Sequence, residues 1–263
     1  MALGAFCLER KTALVTGGAR GLGFACARAL LGHGARVIII SRKQQAAEEA
    51  ARHLSDSGSC EPVVADLATT DGAAALGQAV SQRHDGIDIL VNNAGATWGA
   101  PLREYPAEGW TKVMQVNVAA PFQVIQSMLT LLERRATPEA PARVVNIGSI
   151  EGHSAGPYEN YAYGASKAAL HHLTTVLARR LAPRSITVNC VAPGPIPTHM
   201  TSALFERAEA EIVAATPLRR LPSAADVGAA VVYLVGGAGV SVTGCVIPVD
   251  GGLSINTWGR ESE

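Results

Sequence analysis

The chain has 263 residues, 48% of them hydrophobic and 17% charged, and its 22 Lys and Arg balance its 22 Asp and Glu. An apolar fraction of that size excludes a disordered chain, and a formal charge of zero excludes recruitment of nucleic acid or an anionic membrane by a global field. The length suits one α/β domain, and with no secretory leader near Met1 and no apolar run long enough to span a bilayer, the sequence reads as that of a soluble cytoplasmic protein.

Residues 12–15 read as a buried strand running into Thr16-Gly-Gly-Ala-Arg-Gly-Leu-Gly23, with a helix over 24–31 and a β-branched strand over 36–40. Unbroken β-branched runs suit parallel strands covered on both faces. Strand, glycine turn, helix and strand within about 30 residues form the βαβ unit of a dinucleotide-binding fold. The alternation continues with helices over 44–54 and 70–84 and strands over 60–65 and 87–91, the last opening into Asn92-Asn-Ala-Gly95. A long helical region follows over about 107–135 with Pro121 inside it, then a strand over 143–147 ending at Gly148-Ser149. A helix holding Tyr163 and Lys167 runs to about 181, a strand covers 186–191, helices cover 200–215 and 224–234, and a last strand covers 245–249. Strands alternating with helices, without a linker or repeat, predict a single-domain α/β fold of Rossmann type, doubly wound, with a seven-stranded parallel sheet; 1–150 would form the cofactor half and 151–263 the catalytic half. The five scattered cysteines lack Cys-x-x-Cys spacing, which argues against a zinc site or a disulfide framework.

In such sheets ligands bind beyond the carboxyl ends of the strands, so the loops there carry the functional reading. Gly17 permits the tight turn, and Gly21 and Gly23 let backbone approach a pyrophosphate at a helix N-terminus. The second strand ends in Ser41-Arg42 rather than the acid that usually holds a ribose 2′-hydroxyl. A guanidinium pairs with a 2′-phosphate, a hydroxyl donates to it, and Arg20 reaches it from the glycine loop; together these point to NADP(H). Asp66 is placed to accept from an adenine amino group, or else to cap the helix near Thr69 and Thr70. Asn93 and Gly95 are placed to line the adenosine ribose.

Tyr163-Gly-Ala-Ser-Lys167 sets a phenol and an ammonium one turn apart on one helix face, where a cation favours phenolate and makes a proton donor or acceptor for neutral pH. Of the tyrosines nearby, Tyr158 and Tyr161 are followed four residues on by Ala162 and Ala165, so only Tyr163 has the lysine. Ser149 ends a strand, whereas Ser154 lies deeper in its loop and reads as structural. His153, His171 and His172 read as satisfied structural or surface histidines without metal partners.

Taken together, the glycine loop, Asn92-Asn-Ala-Gly95, Asn117, Ser149, Tyr163-x-x-x-Lys167 and Pro193-Gly194 resemble the short-chain dehydrogenase/reductase superfamily over essentially the whole chain. Within it, Trp98-Gly99, Val144-Val-Asn-Ile-Gly-Ser-Ile150 and the run from Tyr161 to His171 are similar to 3-oxoacyl reductases of the rhamnolipid-pathway type. The resemblance implies that Tyr163 protonates a carbonyl oxygen while Lys167 lowers its pKa and holds the nicotinamide ribose. Ser149 would donate to the same oxygen, and Asn117 would hold a water leading to solvent. It also implies cofactor contacts from Leu22, Leu67, Ala94, Pro193, Gly194, Ile196 and Thr198, the last two near the carboxamide.

The segment 199–217 would form a substrate lid, with Met200, Leu204, Phe205 and Ile212 suited to an acyl chain. Arg134, Arg135 and Arg184 would offer a docking patch for an acidic acyl carrier protein near the entrance. A homotetramer or homodimer would use helices around 113–132 and 163–181, where Leu170, Leu173, Val176 and Leu177 are apolar. The reading is an NADPH-dependent reductase of a ketone, foremost a 3-oxoacyl thioester on carrier protein or CoA. The alternatives are a dehydrogenase of another secondary alcohol, sterol or polyol, and a non-catalytic NADP(H) sensor.

Overall fold

Burial of β-branched and Leu residues organises the molecule around one parallel sheet. The computed structural model describes residues 2–156, 158–197 and 202–256. Its strands are β1 (Thr12–Thr16), β2 (Arg36–Ser41), β3 (Cys60–Val64), β4 (Ile89–Asn92), β5 (Ala142–Ile147), β6 (Ile186–Pro193) and β7 (Val246–Val249). They pair in the order β3-β2-β1-β4-β5-β6-β7, every pairing parallel. Because side chains alternate across a strand, Ala13, Val15, Val37 and Ile39 enter one core cluster while Leu14, Ile38 and Ile40 enter the other. Helices α1 (Gly21–Gly32), α2 (Gln44–Ser55) and α8 (Ala224–Val235) cover the first face; α3 (Gly72–Ser81), α5 (Ala120–Glu133) and α6 (Tyr161–Leu181) cover the second. Two further helices, α4 (Ala107–Met114) and α7 (Ser202–Ala215), lie among the loops at the sheet's carboxyl end and in the segment after β6.

The crossover from β3 back to β4, which pairs with β1, is the switch point of the sheet, and the glycine loop opens beside it. The helical region expected over about 107–135 is present, α4 running into α5 through a π-helical turn, Gln115–Ala119, with Pro121 directly after that turn at the start of α5. Helix α8 starts with a reciprocal cap, Ser223 accepting from the Asp226 amide and Asp226 accepting from the Ser223 amide. An amide ladder crosses the buried sheet and reaches α6: Asn92 Nδ2 donates to Asn146 Oδ1 at 2.9 Å, and Asn146 Nδ2 to Thr174 Oγ1 at 2.9 Å. This ladder fixes the register of β4, β5 and the catalytic helix relative to one another.

Candidate active site

The turn after β1 is shaped by two close approaches. Gly17 has φ +65°, and a Cβ on Gly23 would lie 2.3 Å from the Gly17 carbonyl oxygen, so no side chain fits where α1 meets the turn. Helix α1 begins without a side-chain cap at Arg20, and a Cβ at Gly21 would meet nothing within 4 Å. Uncapped amides facing open space at a helix N-terminus fit a pyrophosphate. Leu22 is half-buried in the first turn of α1 and packs on the core.

Arg20 and Arg42 are both exposed, and neither guanidinium has an ion-pair or hydrogen-bond partner among the described residues; Ser41 is half-buried at the end of β2. The chain thus offers free guanidinium groups and a hydroxyl, with no carboxylate, where a 2′-phosphate would lie. Asp66 makes a local turn instead of a helix cap: its carboxylate accepts from the Ala68 amide at 3.0 Å, and α3 starts only at Gly72. Leu67 beside it is buried in the second core.

Asn93 braces the glycine turn: its Nδ2 donates to the carbonyls of Thr16 and Gly17, at 3.0 and 3.2 Å. The amides of Asn93 and Ala94 both donate to Thr16 Oγ1. Gly95 is exposed, and a Cβ there would lie 3.9 Å from Lys167 Nζ, so this loop borders the catalytic groups directly.

Ser149 follows β5 through Gly148. A Cβ on Gly148 would lie 2.4 Å from His171 Nε2 and 2.7 Å from Cys190 Sγ, so glycine is what lets β5 run against α6 and deliver Ser149. The Ser149 hydroxyl accepts from the Glu151 amide at 3.3 Å. Lys167 stands one turn along α6, its Nζ 5.5 Å from the Tyr163 ring centre and donating to the Ile147 carbonyl at 2.8 Å. Asn117, buried in the π-helical turn, bridges the neighbouring loop to α6. Its Oδ1 accepts from the Ala96 amide, while its Nδ2 donates to the Ala96 carbonyl and to Ser166 Oγ. Ser166 in turn donates to the Tyr163 carbonyl at 2.7 Å. The structure therefore gathers Asn117, Ser149, Tyr163 and Lys167, with Asn117 acting through its packing on α6.

In the ligand-free site burial pushes the Tyr163 phenol up to about 12, the Ser149 hydroxyl pulling it down and the Glu151 charge pushing it further up. Lys167 is itself pushed down to about 8 by burial. Desolvation thus favours the neutral form of both groups.

Tyr161 is exposed and stacks edge-on against Tyr105; Tyr158 is half-buried; Ser154 Oγ donates back to the Ile150 carbonyl, as a structural serine should. His153 and His172 are exposed, but His171 departs from the satisfied histidine expected: it is buried and its Nε2 has no partner among the described residues. Pro193 ends β6, Gly194 donates to the Val249 carbonyl at 2.9 Å and packs on Asp250, and Ile196 is buried. Thr198, Met200 and the side chains of Leu204 and Phe205 lie outside the described residues; Ile212 is half-buried on α7.

The arginine patch falls elsewhere than expected. Arg134 donates to the Asp85 carbonyl, Arg135 packs on Gly86, and Arg184 pairs with Glu133 at 2.8 Å. Helix α5 runs antiparallel to the strands it covers, so its C-terminal end lies at their amino ends, opposite the Ser149 edge. Among the described residues no helix is long and apolar enough to cross a membrane, and no group of three His, Cys, Asp or Glu is arranged to hold a metal.

An uncapped helix end beside a sheet switch point, together with a serine–tyrosine–lysine set at the same edge, defines a nucleotide-dependent oxidoreductase class. The chain belongs to the short-chain dehydrogenase/reductase family: the family profile described as enoyl-(acyl carrier protein) reductase matches residues 17–254. It is 46% identical over 252 residues to the rhamnolipids biosynthesis 3-oxoacyl-[acyl-carrier-protein] reductase of Pseudomonas aeruginosa, covering 95% of this chain and 98% of that one. A structure described as the Pseudomonas aeruginosa RhlG/NADP active-site complex superposes with a TM-score of 0.93 at 46% identity, over 95% of this chain and 99% of that chain. The structure of a gluconate 5-dehydrogenase from Burkholderia cenocepacia with NADP and tartrate superposes with a TM-score of 0.91 at 31% identity, over 97% of this chain and 99% of that chain.

Proposed function

We propose that this protein reduces a ketone to a secondary alcohol with NADPH, and that its substrate is a 3-oxoacyl thioester carried on acyl carrier protein or CoA. The observation that carries this reading is the gathering of Ser149, Tyr163 and Lys167 at the carboxyl edge of the sheet, Ser149 following β5 and Tyr163 standing one turn before Lys167 on α6, with the Lys167 Nζ 5.5 Å from the Tyr163 ring centre. Two hydroxyl donors converging at one place suit a single carbonyl oxygen that gains negative charge as it is reduced. The similarity to 3-oxoacyl-[acyl-carrier-protein] reductases supports the substrate class.

The cofactor, when bound, supplies the hydride that the carbonyl carbon receives. Gly17, Gly21, Leu22 and Gly23 would hold its pyrophosphate on the amides of α1; Arg20, Ser41 and Arg42 would pair with its 2′-phosphate; Asp66, Leu67, Asn93, Ala94 and Gly95 would border its adenosine half. Pro193, Gly194, Ile196 and Thr198 would border its nicotinamide. Ser149 Oγ donates to the carbonyl oxygen and Tyr163 Oη transfers its proton there, leaving a phenolate beside the Lys167 ammonium, which stabilises it. Lys167 must leave the Ile147 carbonyl, or share its donors, to do so. Asn117 keeps α6 in register with the loop after β4.

Trp110 and Phe122 on α4 and α5, and Val176 on α6, are each more than two-fifths exposed, which supports assembly as a homodimer or homotetramer through these helices. Leu170 and Leu177 belong to the core, and Leu173 packs against it. Following NADPH absorbance with acetoacetyl-CoA, a keto sugar acid and a simple cyclic ketone tests the reading. Fastest turnover on the thioester is expected; turnover of none of them would overturn it.

A further inference from the structure

Two residues beyond Ser149, the chain carries an acid that the reaction outlined above does not use. Glu151 lies in the short turn Ile150–Gly152 that closes β5. It takes part in a closed circuit of contacts around the catalytic pair. Its amide donates to Ser149 Oγ at 3.3 Å, and its Oε2 accepts from Asn160 Nδ2 at 2.9 Å. Asn160 precedes α6, and its carbonyl accepts from the Tyr163 amide at 2.7 Å. The Ser149 hydroxyl in turn lowers the pKa of the Tyr163 phenol. The space around the acid is tight: a Cβ on Gly164 would lie 3.3 Å from the Glu151 carbonyl, and one on Gly156 would lie 3.4 Å from its carboxyl carbon.

The other carboxylate oxygen, Oε1, has no hydrogen-bond partner among the described residues. The groups that feel the Glu151 charge are Tyr163 and Lys167 from α6 and Tyr158 from the preceding loop. The carboxylate is itself half-buried: desolvation raises its pKa, and Asn160 and the Lys167 charge work against that rise. It follows Ser149 by two residues in the turn at the carboxyl end of β5.

We propose that Glu151 is a positioning and selectivity residue: its side chain ties the Ser149 turn to the start of the Tyr163 helix, and its charge turns away ketones that carry a carboxylate next to the reacting carbonyl. A thioester presents no charge there, whereas a keto acid would set a second anion beside Glu151. Like charges a few ångströms apart in a partly desolvated site cost on the order of tenfold or more in rate. Without the acid, the Lys167 ammonium would face the substrate unopposed and would attract the same anions.

The inference rests on the ketone-reductase reading. Its test compares methyl acetoacetate with acetoacetate, which differ in charge and hardly in size, for the wild type, Glu151→Gln and Glu151→Ala with NADPH. The wild type is expected to favour the ester by about tenfold or more in kcat/KM. Glu151→Gln keeps an oxygen for Asn160 and removes the charge, so the ester-to-acid ratio should shrink at least fivefold. Glu151→Ala also loses the tie, so its kcat on the ester should fall below that of Glu151→Gln. Thermal unfolding of each variant identifies any that has lost its fold, and the ratio in folded Glu151→Gln decides the case. A ratio unchanged from wild type overturns the inference alone; a wild type that reduces neither ketone overturns it together with the reductase reading.

Discussion

Replacing Lys167 with Met should make the ligand-free protein more stable while removing its activity. Lys167 is 5% exposed, and its one hydrogen bond among the described residues goes to the Ile147 carbonyl, so its charge meets no carboxylate at salt-bridge distance. Burial lowers its pKa from 10.5 to about 8. For a base whose folded pKa lies below its unfolded one, the cost is full below about 8 and fades as pH rises toward 10.5. A drop of that size corresponds to about 3 kcal/mol at pH 7, falling to roughly 1 kcal/mol at pH 9.5. Met matches the aliphatic stem but leaves the Ile147 carbonyl unpaired, at a cost of about 1 kcal/mol. Lys167→Met should thus be about 2 kcal/mol more stable than wild type at pH 7 and close to equal at pH 9.5. Urea unfolding of both proteins at the two pH values measures this, the difference cancelling the cysteines and tyrosines that also titrate in alkali. A variant no more stable at pH 7, or an advantage that persists at pH 9.5, would refute the picture of an uncompensated buried ammonium.

Arg42→Asp should cut the preference for NADPH over NADH by roughly tenfold or more, since it replaces a charge-assisted contact with a repulsive one; unchanged discrimination in initial-rate assays would remove Arg42 from the 2′-phosphate site. Gly23→Ala should weaken NADPH binding at least tenfold in a fluorescence titration, because its Cβ would lie 2.3 Å from the Gly17 carbonyl and the turn must open. His171 is pushed down to about 4, chiefly by burial. It is neutral in the fold and protonates on unfolding, so stability is lost as pH falls from about 6.5 toward 4, by about 2 kcal/mol between pH 7 and pH 5. His171→Asn should remove that part of the acid slope in urea titrations.

Strand alternation and the Tyr-x-x-x-Lys spacing made the fold and the catalytic edge legible, because both depend on local periodicity and on chain order. What the sequence hid depends on which neighbour each polar group finds. Nothing local shows that the Asn93 side chain braces the glycine turn, bonding the carbonyls of Thr16 and Gly17, 77 and 76 residues away. Arg134 and Arg135 read as an entrance patch until the direction of α5 carries them to the opposite edge. Nothing local distinguishes His171 from His172, yet one is buried against Gly148 and Gly152 while the other is exposed. The desolvation that acts on Tyr163 and Lys167 depends on how deeply the fold buries them, which the spacing of the pair does not show. Glu151 carried no motif, and its place in the circuit depends on how the loop over 150–160 folds back onto α6.

The central claim is that Tyr163 donates the proton to a reduced carbonyl. It is tested most directly by the turnover of Tyr163→Phe on acetoacetyl-CoA, beside its NADPH affinity. The variant should bind NADPH within about twofold of wild type and lose on the order of a hundredfold to ten-thousandfold in kcat. A kcat within a few fold of wild type, with NADPH still bound, would contradict it.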